Sequence, residues 1–169
     1  MRERFKNLLK DKKIRNDIIE AVDTSNIGDD FLVLYKKCLI INKNISKDIC
    51  KNIIGTYKRA SNIIEQELKN KKVEILGNPE SFLFNKDEEK YLYDKINDFR
   101  QYFSSRKRHE SYDETLKILA GAKSTTDNFF DNVIVNDENS DIKKNRLELL
   151  QMFCKTYNNF IDFSKVEGA

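Results

Sequence analysis

The sequence predicts an all-helical bundle, and three observations carry that prediction. Its 169 residues include one proline and five glycines, far fewer turn-formers than a β-sandwich or barrel requires. Hydrophobic residues make up 39% and charged residues 35%, the balance of a heavily solvated globular chain with abundant Lys, Glu, Leu and Ile. Apolar residues also recur every three or four positions through long windows, the period of a helix face. The length suits one domain with a single core, or at most two small ones.

Seven helices follow in order. Residues 13–22 (KIRNDIIEAV) form a short amphipathic helix closed by the turn-like DTSNIGDD. Residues 30–41 form a mostly apolar one, with Phe31, Leu34, Tyr35 and Cys38 as its buried set. Ser46 is a suitable N-cap for a long third helix reaching residue 70. Along it Ile49, Ile53, Tyr57, Ala60, Ile64 and Leu68 trace one continuous face. GNPES at 77–81 holds the only proline and reads as a hinge. A fourth helix spans 86–106 with Leu92, Ile96, Phe99 and Phe103 as its stripe. Others cover 111–122 and 125–135. After the polar NDENSD, the last runs over 141–163, lined by Leu150, Phe153, Tyr157 and Phe160.

Charge and missing motifs narrow the function. Net charge is only +3, so the placement of cations matters more than their excess. Seven lie within residues 2–15; further groups are Lys69, Lys71 and Lys72, then Arg106, Lys107, Arg108 and His109, then Lys143, Lys144 and Arg146. The pattern reads either as one positive face or as scattered solvated surface. A single histidine rules out His-based metal motifs, and the chain contains no GxGxxG, Walker loop or nucleophile elbow. Glu88 and Glu89 are adjacent, so on a helix they point about 100° apart and read as a solvated face rather than an acid–base pair. Three cysteines without CxxC spacing read as small core hydrophobes in a reducing compartment. The apolar runs at 31–35 and 38–41 are too short for a membrane span, and the charged N-terminus is unlike a leader. A cytoplasmic binding module is expected, with no membrane and no DNA as partner.

The stretch TYKRASNII at 56–64 concentrates the question, because Lys58 and Arg59 interrupt an otherwise buried face. On a wheel of about 100° per residue, Lys51, Lys58, Asn62 and Lys69 share a narrow strip flanking that face, while Arg59 points away from the core. Lysines neutralise phosphates, and an asparagine can read a base edge. An ordinary amphipathic helix with a basic outer side accounts for the same spacing.

Several segments, in order, are similar to the C-terminal domain of the bacterial glycyl-tRNA synthetase beta subunit. YKRASNI (57–63) resembles a motif of that domain, RNDIIEAV (15–22) its "DVIDAV" helix, and NFFDNVIVN (128–136) its "FFDxVMVM" segment. KKNRLELL (143–150) resembles "RxNRLxLL", and FIDFSKVEG (160–168) resembles the family's C-terminal ending. The resemblance covers essentially the whole chain. It implies the DALR-type all-α anticodon-binding fold shared with arginyl-tRNA synthetase, and a chain that is the C-terminal piece of a larger beta subunit. Its implied partners are glycine tRNA, the remainder of the beta subunit and the alpha subunit. No cofactor is expected in this chain; ATP and magnesium serve the whole ligase, whose catalytic site lies in the alpha subunit. The RNA-contact candidates are Lys51, Lys58, Arg59, Asn62 and Lys69, with Arg106, Lys107 and Arg108 as a backbone clamp. Phe129 and Phe130 read as packing aromatics or as a stacking platform for a splayed base. Asp131 and Arg146 read as a structural ion pair. Ala60 and Ser61 depart from the bulkier residues expected in the motif. The rival reading is a helical module that packs on the rest of the synthetase with little RNA contact of its own.

Overall fold

The computed structural model describes residues 2–24, 30–69, 77–105 and 111–167. Within them the chain forms eight α-helices and two 3-10 turns, and no strand. The helices are α1 (Arg2–Asp11), α2 (Asn16–Thr24), α3 (Phe31–Asn44), α4 (Asp48–Lys69), α5 (Asp87–Ser105), α6 (Tyr112–Ala120), α7 (Lys123–Asn132) and α8 (Ser140–Tyr157); the 3-10 turns are Ser81–Leu83 and Phe163–Lys165. The expected all-α bundle is therefore present, with α1 added where the sequence showed only a basic cluster. Several boundaries move. Helix α2 covers Asn16–Thr24 rather than 13–22, α3 continues to Asn44 rather than 41, and α7 covers Lys123–Asn132 rather than 125–135. Helix α4 begins two residues beyond Ser46, and α8 stops at Tyr157, leaving Phe160 buried but outside the helix.

Helix α1 ends in a tight reversal that needs no glycine. Lys13 adopts φ 59°, Ile14 N–H donates to Leu9 O, and Lys13 N–H donates to Lys10 O. This is the Schellman pattern, and its usual apolar contact is supplied by buried Leu9 and Ile14.

Helix α8 is the axis of the molecule. It carries Leu147, Leu149, Leu150, Phe153 and Tyr157 without exposure, the signature of a helix covered on most sides. Helices α4 and α5 pack on it, and α6 and α7 close around α4 and α5. Tyr157 is the aromatic centre, touching the rings of Tyr57, Phe99, Phe153 and Phe163. Its hydroxyl donates to Leu119 O at 2.7 Å, so burial of this large ring leaves no polar atom unanswered.

Polar side chains bind the shell to this axis. Residues 77–81, expected as a hinge, are fastened to α8. Gly77 N–H donates to the Glu148 carboxylate at 3.0 Å, while the Asn145 amide accepts from Glu80 N–H at 2.7 Å and donates to Glu80 O at 3.1 Å. A Cβ on Gly77 would sit 2.6 Å from Glu148 Oε1, so any other residue there would displace the Glu148 carboxylate from this contact. Lys143 pairs with Glu67 of α4 at 2.7 Å. At the other end, the 160–167 segment is stitched to α2. Asp162 N–H donates to Ala21 O, Glu167 N–H donates to the Asp17 carboxylate, and Arg15 bridges Asp17 and Glu167 O. Buried Lys37 donates to Phe160 O and lies over the Phe160 ring.

The most demanding contact is that of Arg146, with a side chain 4% exposed. Its Nε donates to Glu89 Oε1 at 2.9 Å, and Nη1 donates to Asp137 Oδ2 and to Ile134 O. Glu89 has no exposure and also accepts the N–H groups of Asn85 and Lys86, closing the first turn of α5. Two expectations are corrected here. Arg146 pairs with Glu89 and Asp137, not Asp131, and Glu89 is a buried structural acid rather than part of a solvated face. Adjacent positions diverge on a helix, which is why Glu88 stays half-exposed while Glu89 turns inward.

Arg146→Met should destabilise the fold by about 3–5 kcal/mol, because it strands the Glu89 carboxylate in the interior. Adding Glu89→Gln should recover part of that loss, as read by urea unfolding monitored at the helix signal.

Alkaline pH gives a second test. Burial pushes the Cys38 and Cys154 thiols up to about 12, Cys50 up to about 11, and the Tyr57 hydroxyl up to about 12. Since the folded values lie above the unfolded ones, this stability is intact below pH 9 and drains away as pH climbs through 11 to 12. The urea midpoint should fall steadily over that window, and the thiols should react with iodoacetamide only after unfolding.

Candidate nucleic-acid interface

Helix α4 turns Ile53, Tyr57, Ala60 and Ile64 into the core, as its spacing predicts. Leu68 continues that face by spacing but is exposed near the helix end. The polar flank stays open: Lys51, Arg59, Asn62 and Lys69 are exposed and Lys58 is half-buried. Lys69 lies 4.0 Å from Glu65 on its own helix. The strip read from the wheel therefore exists as a surface, and its cations reach solvent.

Next to this strip, α4 and α7 enclose a shallow groove of about 180 Å³. From α4 come Lys51, Gly55 and Arg59; from α7 come Lys123, Asp127 and Phe130. Lys51, Gly55 and Arg59 stand at four-residue intervals, so they form one ridge whose middle position has no side chain. A Cβ built on Gly55 meets nothing within 4 Å. At the rim Lys123 pairs with Asp127, one turn along α7.

Arg59 is held from two sides. Its guanidinium carbon lies 4.4 Å from the centroid of the Phe130 ring, and Nη2 lies 4.0 Å from Asp131 Oδ1. Phe130 rests edge-on against Phe129 at 5.3 Å, and Phe129 is fully buried. A column thus runs from the core through Phe129 and Phe130 to a guanidinium that remains 49% exposed. A cation–π contact at such a site contributes about 0.5–1 kcal/mol, and its main effect is to hold the fork in one orientation.

The anticipated site residues therefore divide. Lys51, Arg59 and Phe130 meet at the groove, with Asp131 on the edge of Arg59; Lys58, Asn62 and Lys69 lie along the adjoining flank. Phe129 is core. Arg146 is interior, as is Lys143, so the 143–146 cluster offers Lys144 alone to solvent. Arg106, Lys107, Arg108 and His109 fall outside the described residues. Sequence reasoning missed Gly55, Lys123 and Asp127. The first left a signal, a lone glycine inside a long helical period; the other two become meaningful only when α7 lies beside α4.

The model of the DALR anticodon binding domain matches residues 53–167. The chain belongs to this family. It is also 31% identical over 167 residues to a glycine–tRNA ligase beta subunit from a Sulfurihydrogenibium species, covering 98% of this chain and 24% of that protein. A beta subunit from Dinoroseobacter shibae is 28% identical over 166 residues, covering 98% of this chain and 23% of its own. The chain thus spans about a quarter of the length of these relatives. The family match takes in the Arg146 network and the α4–α7 groove from residue 53 on, which leaves out Lys51, while α1 to α3 precede it. Among the described residues no helix is long and apolar enough to cross a membrane.

Gly55 bears directly on this DALR domain's surface. Glycine inside a helix is less favourable than alanine by about 1 kcal/mol, and here no neighbour would obstruct a methyl group. Gly55→Ala should raise stability by about 1 kcal/mol, seen as an upward shift of the urea midpoint at unchanged slope.

Proposed function

We propose that this chain is the tRNA-binding, anticodon-recognition part of a glycine–tRNA ligase beta subunit. The observation that carries the reading is the open cationic flank of α4, with the orientated Arg59, on a chain of the DALR anticodon-binding family. Unpaired anticodon bases can be splayed and stacked while cations hold the neighbouring phosphates. The chemistry of charging glycine onto its tRNA, with ATP and magnesium, belongs to the alpha subunit, and this chain uses no cofactor of its own. Its work in the cytoplasm is to fix the anticodon stem-loop while the acceptor end reaches the distant catalytic site. Its other partners are the remainder of the beta subunit and the alpha subunit.

A second reading is favoured by one observation. Phe82 and Ile134 are 77% and 75% exposed, on segments tied to α8 at Asn145 and Arg146. Large apolar side chains held outward on an ordered backbone suit packing against the rest of a synthetase, and this contact can coexist with RNA binding on the α4 flank.

Binding of glycine tRNA should weaken steeply with salt, in proportion to the phosphates neutralised. It should also weaken when either cytosine of the glycine anticodon is replaced. Lys58→Glu with Arg59→Glu should lower affinity at least about ten-fold and flatten the salt slope by about two phosphates' worth, with the circular dichroism of the fold unchanged. Filter binding at two salt concentrations measures both effects. Equal affinity for the variant would place the RNA elsewhere on the molecule.

A further inference from the structure

The groove beside Arg59 combines features that a solvated helix flank does not need. A glycine keeps its floor bare at a position where a side chain would be unobstructed. The planar guanidinium beside that gap is backed by an aromatic ring that is itself braced by the core. Two cations, Lys51 and Lys123, stand at the rim; the Asp127 carboxylate pairs with Lys123, and that of Asp131 lies 4.0 Å from Arg59 Nη2. Simple phosphate binding would be weakened by those carboxylates. A ligand that is flat, carries a phosphate and presents an amino group would use the guanidinium, both lysines and the Asp127 carboxylate.

We propose that this groove is the seat of a single unpaired nucleobase bearing an exocyclic amino group, cytosine above all. The base stacks on the exposed side of the Arg59 guanidinium, whose other side is occupied by Phe130. Bases stack readily on arginine planes as well as on aromatic rings. The gap at Gly55 leaves room for the ring. Lys51 and Lys123 take the flanking phosphates, and Asp127 accepts from the amino group, the pairing by which acidic side chains select cytosine. Uracil presents a carbonyl oxygen at that position and would face the carboxylate with like polarity. This inference rests on the RNA-binding reading above and adds the place and chemical class of the base.

The test uses the full chain and a fluorescein-labelled stem-loop with the glycine anticodon, read by anisotropy. Cytosine is replaced at one loop position at a time by uracil or by an abasic residue. At one position the wild-type chain should lose about ten- to a hundred-fold in affinity for the abasic RNA, and a smaller but distinct factor for uracil. Gly55→Leu fills the gap and should bind the intact and abasic RNAs equally. Arg59→Lys keeps the charge, so the salt slope should persist while the abasic penalty shrinks. Asp127→Asn should narrow the difference between cytosine and uracil. Gly55→Ala, a smaller change that favours the helix, guards against a failure of the leucine variant to fold and should show a partial effect. If these variants keep the full wild-type dependence on the base while RNA still binds, the groove is not the seat and the general reading survives. If the wild-type chain shows no salt-dependent affinity for the stem-loop, both fall.

Discussion

A guanidinium with almost no access to water must have its charge and its donors answered by protein, and Arg146 meets that demand with three partners from two elements. The carboxylate of Glu89 comes from the first turn of α5, and the Asp137 carboxylate and the Ile134 carbonyl both come from the 133–137 segment that follows α7. Each partner is in place only if its own element is docked on α8. Removing a charge from water is expensive, and removing only one member of a buried pair is worse. The arrangement therefore penalises any packing in which α5 or the 133–137 segment is shifted. Because the same loop fixes where α7 ends, the position of Phe129 and Phe130 follows from this interior network.

The C-terminal segment imposes the same kind of constraint at the opposite end of the chain. Asp17 of α2 accepts from Glu167 N–H and from Arg15, whose guanidinium also reaches Glu167 O. The two sequence segments that most resembled the ends of a known domain, 15–22 and 160–168, are thus joined in space by the Asp17 and Arg15 side chains on the Glu167 backbone and by one backbone bond, Asp162 N–H to Ala21 O. Their role is to close the bundle. Motifs found by similarity can be matched for structural reasons, and these two are of that kind, as is 143–150 with its buried Asn145 and Arg146.

This separates what the sequence made legible from what it did not. The helices and their inward faces were readable because a buried side must repeat near 3.6 residues, and Ile53, Tyr57, Ala60 and Ile64 all point where that period places them. Helix ends were less readable. Lys13 in the left-handed region and the early stop of α8 depend on tertiary contacts that no local propensity encodes. Charge was the least readable property. Lys143 and Arg146 resemble neighbouring surface cations by composition, yet both point into ion pairs with residues 57 or more positions away. Glu89 sits in an acidic triplet, and only its position at the third residue of α5 hinted that it turns back toward the helix start. On the candidate site, Arg59 was legible as a cation outside the core, but its stacking on Phe130 was not, since the two lie on different helices.

The two kinds of charge explain how one small bundle can be both rigid and receptive. Interior cations are saturated by carboxylates and carbonyls, which leaves them no capacity for a ligand. Arg59 is held differently: a ring covers one side of its guanidinium and a single carboxylate approaches its edge at 4.0 Å, so donors and one planar side remain available. Preorganising a long flexible side chain in this way reduces the entropy that binding would otherwise lose. The bare backbone at Gly55 works to the same end at the expense of helix stability. A surface that gives up local stability to keep one planar cation exposed and orientated is arranged for a flat, electron-rich partner, and the buried network around Arg146 is what makes that concession tolerable.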